Sequence, residues 1–226
     1  MPTGVIELVI LAAIALFLLF RLRSVLGTKT GFEEHQGHAR PAQPEPARTH
    51  PVPVPPPAAD DEAADDEARS MAGGDERIAE ALRAMRVAEP GFSAGQFVGG
   101  AKGAFEMILM AFETGDTDTL RQFLAPDVYS GFADAIAERQ RLGYSVEARF
   151  IGVRDARITD ARFDAETAEA EIAIRFTAEM ITTVRDSEHR VVEGNPNEIR
   201  RETDTWTFAR RMGTSDPNWL LVATGE

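Results

Sequence analysis

The chain has 226 residues, with 24 basic and 37 acidic side chains, a net charge of −13 and no cysteine. The missing cysteines exclude disulfides, thiolate nucleophiles, iron–sulfur ligation and cysteine zinc sites, and no cofactor is implied. The acidity excludes nucleic acid as a partner of the whole surface, because clustered Lys and Arg supply most of that affinity.

The first element is an apolar run from Val5 to Phe20 whose single charge is Glu7. Extended to residues 4–22, it reaches the roughly 17-residue lower limit for a helix that spans a bilayer. A buried core helix is the poorer reading, since the following fifty or so residues offer nothing to pack against. A cleaved signal peptide needs basic residues before the apolar run, whereas Arg21, Arg23 and Lys29 all follow it. Those cations place the downstream chain in the cytoplasm and a very short N-terminus outside. The expectation is an uncleaved single-pass transmembrane anchor, N-terminus out and C-terminal domain cytoplasmic.

Residues 28–74 show no hydrophobic periodicity. Eight of the 13 prolines fall between Pro41 and Pro57, and an acidic block follows, Asp60-Asp61-Glu62 and Asp65-Asp66-Glu67. Proline removes hydrogen-bond donors and fixes φ, and so little apolar surface does not offset ordering entropy. The segment reads as a disordered, partly stiff spacer. At about 3.1 Å per residue, its proline-rich part reaches roughly 50 Å. A proline-motif docking site is the sharper alternative.

From 75 to 226 the pattern becomes globular. Ile78, Ala81, Leu82 and Met85 predict a short amphipathic helix stopped by Pro90-Gly91. Ser93 caps a long helix through Thr114, with Phe97, Phe105, Ile108, Leu109 and Phe112 on its apolar stripe. After Gly115-Asp116 comes a short helix with Leu120, Phe123 and Leu124, then a helix from Pro126 to about Leu142 closed by Gly143. The period then changes to 2. Strands are read at Val146–Phe150, Ala168–Phe176, Glu202–Arg210 and Trp219–Thr224, with His189 and Gly194-Asn195-Pro196 in one turn between the second and third. Helices followed by antiparallel strands give an α+β domain with helices on one face of a curved sheet.

Chemistry is sparse. His35, His38 and His50 lie in the spacer and His189 at a hairpin tip, so no histidine is placed as a general base. Gly95 to Lys102 looks like a phosphate loop, but its lysine does not follow a glycine and no strand precedes it. The reading preferred is that Gly95, Gly99, Ala101, Gly103 and Ala104 let another element approach this helix closely. Glu106 and Glu113 share a helix face. Asp204 lies two residues from Trp206 on one side of a strand. It can have a raised pKa and act as a base, or it can form a strand-end hydrogen bond or pair with Arg139 or Arg201.

Several blocks resemble a known family: Gly100-Ala-Lys-Gly-Ala-Phe-Glu106, Ala111-Phe-Glu-Thr-Gly-Asp116, Phe132 to Gly143, Val191 to Pro196, Asp204 to Phe208 and Asp216 to Thr224. They resemble the C-terminal domain of the mitochondrial inner-membrane translocase subunit 44 family, and most closely its bacterial TimA-type relatives. The resemblance implies a cone-like domain with an apolar pocket between helices and sheet, and a scaffold rather than an enzyme. It implies a protein partner that is a chaperone or translocation component. The function expected is a membrane-anchored, non-enzymatic adaptor that recruits a protein partner to the cytoplasmic face of a bacterial inner (plasma) membrane, in protein translocation or membrane-protein biogenesis. The alternative is a module that binds lipid or another apolar ligand in the domain pocket. Phe105, Tyr129, Phe132, Trp206 and Trp219 are the aromatics expected at the pocket or the partner surface.

Overall fold

The computed structural model describes residues 59–225. The expected anchor at 4–22, its flanking Arg21, Arg23 and Lys29, and the proline-rich stretch lie outside the described residues. Among the described residues no helix is long and apolar enough to cross a membrane.

Among the described residues, five helices precede the sheet: α1 (Ala59–Met71), α2 (Glu76–Ala88), α3 (Ala94–Thr114), α4 (Thr117–Phe123) and α5 (Pro126–Arg141). The caps are those the sequence offers. Asp75 accepts from the amides of Arg77 and Ile78, Ser93 from that of Gln96, and Asp116 from that of Thr119. Gly115 ends α3 in the left-handed region at φ 77, where a residue without Cβ carries no steric cost.

Helix α1 corrects one expectation. The acidic block, read as spacer, is helical, and its buried positions are alanines: Ala68 and, just past its end, Ala72. Alanine at a four-residue interval gives little hydrophobic contrast, so the amphipathic pattern was invisible. The acids face outward or reach neighbours. Asp65 pairs with Arg69, and Glu67 Oε1 accepts from Ser93 Oγ (2.7 Å) and the Gly95 amide (3.0 Å). A carboxylate there meets the partial positive charge at the start of α3.

The small-residue stripe of α3 is corrected in part. A Cβ on Gly95 would lie 2.9 Å from Glu67 Oε1, and Ala101 is buried. Gly99 and Gly103 face open space with no atom within 4 Å of such a Cβ, so no element approaches them.

The strands are β1 (Ser145–Asp164), β2 (Glu169–Arg185), β3 (Val191–Gly194), β4 (Arg200–Arg211) and β5 (Leu220–Gly225). They form an antiparallel sheet in the order β1-β2-β4-β5, with β3 paired to the far end of β2. The first two strands run much further than read. Three register shifts, at Phe150/Gly152, Val153/Asp155 and Ile158/Asp160, interrupt the alternation of β1. A bulge re-phases the period-2 pattern and bends the strand, which explains both the curvature and the shortened reading. The single predicted turn is two: His189 (φ 60) sits between β2 and β3, and residues 195–196 sit between β3 and β4. Gly194 divides them. At φ 79, its Cβ would stand 2.0 Å from the carbonyl oxygen of Thr182.

Alternate residues of β2, Ala170, Ile172, Ile174, Phe176, Ala178 and Met180, are buried on the helix side. Phe105 of α3 stacks on Phe176 and meets Trp206, each at 4.5 Å between ring centroids, and Phe97 meets Phe208 edge-on at 6.1 Å. Helix α5 is attached through the end of the sheet, where the Ala125 amide donates to the Leu221 carbonyl at 2.9 Å.

Candidate functional site

The five expected aromatics occupy three places. Phe105 and Trp206 are 5% and 3% exposed and lie in the core. Trp219, half-buried, lies at the other end of α3, 4.5 Å from Phe97 and 6.2 Å from Phe92, with the Arg210 guanidinium 5.4 Å from its ring centre. Phe132 of α5 packs edge-on against Phe112 at 5.0 Å, and Tyr129 receives a hydrogen bond from Arg121 at 2.7 Å. Thus Phe105 and Trp206 are brought together inside the core, and Tyr129, Phe132 and Trp219 pack against that core as partly buried residues at separate places. Between α3 and the sheet, where the resemblance implies an apolar pocket, the rings of Phe105, Phe150, Phe176 and Trp206 are in contact with one another.

Asp204 serves this cluster. Its Oδ2 accepts from the indole Nε1–H of Trp206 at 2.8 Å, and its Oδ1 accepts from the Thr205 amide at 2.8 Å. Opposite it in register stands Phe176. A buried indole N–H requires a partner, and the carboxylate two residues away on the same strand face supplies it. The two arginines considered as partners for Asp204 have acids of their own. Arg201 pairs with Glu179 at 2.8 Å and Arg139 with Glu113 at 3.6 Å.

Glu113 is an acid of the helix side whose surroundings shift its titration. Glu113 and Arg139 are both largely buried, and Arg139 Nη2 also donates to the carbonyls of Phe112 (2.7 Å) and Glu113 (2.9 Å). Arg139 therefore caps the carbonyl end of α3 and pins α5 to it. Burial pushes the Glu113 carboxyl above its ordinary range. Arg139 pulls it back, and Glu202 and Glu193 of the facing strands push it further up. Its helix-mate Glu106 is exposed. This carboxyl can take up a proton, and its partner is the Arg139 guanidinium rather than a nucleophile. Among the described residues no group of three or more His, Asp or Glu is arranged to hold a metal ion.

One recess is not revealed by the sequence. An open groove of about 510 Å³ runs between α1, α2 and the start of α3, with Ala68, Leu82, Phe92 and Ala94 in its walls and Arg86 and Val87 on its rim. Val87 is 84% exposed. Its wall is built partly from α1, so a reading that left α1 out could not find it. Only the mismatch of Val87 with the polar face of α2 hinted at a surface in use.

The Tim44-like domain matches residues 78–226. Human mitochondrial import inner membrane translocase subunit TIM44 is 24% identical over 117 residues, which cover 51% of this chain and 25% of that protein. The mouse protein of the same name is 21% identical over the same lengths. The chain thus spans about a quarter of the curated relatives it matches. Among solved structures, the intermembrane space region of the chloroplast protein ARC6 aligns with a TM-score of 0.40 and 13% identity, over 57% of this chain and 94% of that one.

Proposed function

From its membership of the Tim44-like domain family, we propose that this chain is a translocation-related scaffold, holding a protein partner at a membrane surface. The observation that carries the reading is the site's geometry. The space between α3 and the sheet is filled by aromatic side chains, while the recess between α1, α2 and α3 is an open groove with an exposed valine at its rim. A filled interior and an open outer surface suit protein contact better than enclosure of a small molecule. In this reading residues 4–22 anchor the chain in the inner membrane with Arg21, Arg23 and Lys29 on the cytoplasmic side, and the spacer gives the domain reach. Tethering raises effective concentration, so weak contacts suffice.

The test uses the full chain in its own cells. Depletion followed by pulse-labelling should slow the membrane passage of newly made exported or membrane proteins, and a photo-crosslinker at Val87 should capture a component of that machinery. Unchanged passage after depletion, with Val87 crosslinks no richer than those from Lys102 on α3, would overturn the proposal.

A further inference from the structure

The sheet face turned away from α3 carries an arginine cluster that the net charge conceals. In register, Arg157 of β1 stands directly opposite Arg175 of β2, with Thr205 of β4 beyond. The next row is Asp155, Thr177 and Thr203, and the two threonine hydroxyls lie 3.2 Å apart. In the row after, Glu179 is opposite Arg201 and is gripped from both sides, by Arg154 at 2.7 Å and Arg201 at 2.8 Å. Four arginines thus meet two acids. Like charges directly opposite on a sheet are unfavourable, and Arg175, exposed, enters no ion pair among the described residues. Arg157 pairs with Asp155 at 2.8 Å. Residues 91–226 carry 15 basic and 23 acidic side chains; on this acidic background, the patch is a local excess of guanidinium, four arginines against two carboxylates.

We propose that this face binds an acidic protein segment, with carboxylates forked by the Arg157–Arg175 pair and by Arg154 and Arg201. Guanidinium groups present paired donors that match a carboxylate, and the threonine hydroxyls between the two pairs can bridge to backbone. Rows of Arg175 and Glu179 are four residues apart, about 13 Å along a strand, so an extended segment with acids about four residues apart spans both. Two other polyanions fit less well. The aromatics of β1, β2 and β4 (Phe150, Phe163, Phe176, Trp206, Phe208) share register rows with the buried side of the sheet, leaving none here on which a base could stack. A membrane would need apolar side chains to insert, and apart from Gly152 these three rows offer only arginine, threonine and acid. The domain's overall negative charge also repels an extended polyanion, while a short motif feels mainly charges within a Debye length of about 10 Å. Two acids of the chain's own acidic block are engaged elsewhere, since Asp65 pairs with Arg83 and Glu67 with Ser93.

This inference stands apart from the translocation reading: it concerns what the face holds, and it can succeed or fail whether or not depletion slows protein passage. The test is fluorescence anisotropy of labelled deca-glutamate with the full chain in non-ionic detergent at low salt. R157E/R175E should weaken binding about tenfold, as two exposed charge contacts warrant. R121E/R141E, the same charge change on exposed helical arginines, should weaken it less than twofold. If R157E/R175E melts early, R175Q should still cost about threefold. Equal losses in the two double variants, no saturable binding by the unaltered chain, or equally tight binding of a ten-base oligothymidylate would each overturn the proposal.

Discussion

A few carboxylates do most of the polar organisation of the interior, and each does it differently. Asp204 orients an indole, and removing it orphans a donor in the aromatic cluster. D204A should destabilise the domain by about 1–3 kcal/mol, whereas D204N, which keeps an acceptor, should cost less; urea melts of the three proteins decide it. Glu113 works in the opposite sense. Its carboxyl is raised in the folded state by burial, so the folded chain holds that proton more tightly than the unfolded chain. Folded and unfolded states then differ in bound protons between the ordinary glutamate value and the raised one. In that window the folded state binds more protons, so stability falls as pH rises through it and levels off above. E113Q should flatten this decline and melt no lower than the unaltered chain at neutral pH. A steeper decline in the variant would show that the ion pair with Arg139, not burial, dominates.

At the scale of elements, legibility followed contrast. Helices α2 to α5 were readable because large apolar residues recur on them at helical spacing and Asp75, Ser93, Asp116, Pro126 and Gly115 stand where caps and breaks belong. The sheet was readable where alternation ran unbroken, as in Ala170 to Phe176, and was lost where bulges re-phased β1. Helix α1 was not legible because alanines do its packing and tertiary partners satisfy its acids. Of the candidate site, the core pair Phe105–Trp206 was legible as aromatic residues in an apolar pattern. The groove was not, since it needs α1 in place. Two predictions follow from these elements. Deleting the chain up to residue 74, although the family match begins at 78, should remove the Glu67 cap and bare Leu82, lowering both the urea midpoint and the m-value. An unchanged midpoint would mean α1 is an ornament. G194A should cost more than about 1 kcal/mol, since its left-handed φ and the Thr182 carbonyl both oppose a Cβ, with refolded yield and melting temperature as the readout.

For the whole molecule, the charge of −13 is less a property of the surface than a sum over unlike surfaces. Acids gather on α1 and around Glu113, Glu193 and Glu202, while arginines gather on the far side of the sheet. The cations beside the apolar run, Arg21, Arg23 and Lys29, have a separate task in the proposed topology. Positive residues near a spanning segment set its orientation far more than acids do, and the effect is counted locally, within about 15–20 residues of the segment's ends. The acidic domain downstream should therefore have little say in which way the chain inserts. R21E/R23E/K29E tests this separation: it leaves every described residue intact and removes only the local bias. A C-terminal reporter that is active only in the cytoplasm should be bright on the unaltered chain, and the triple variant should lose most of that signal, with the lost fraction gaining protease sensitivity from outside. An unchanged reporter signal in a membrane-inserted triple variant would show that the domain's folding, or its charge, holds the topology instead.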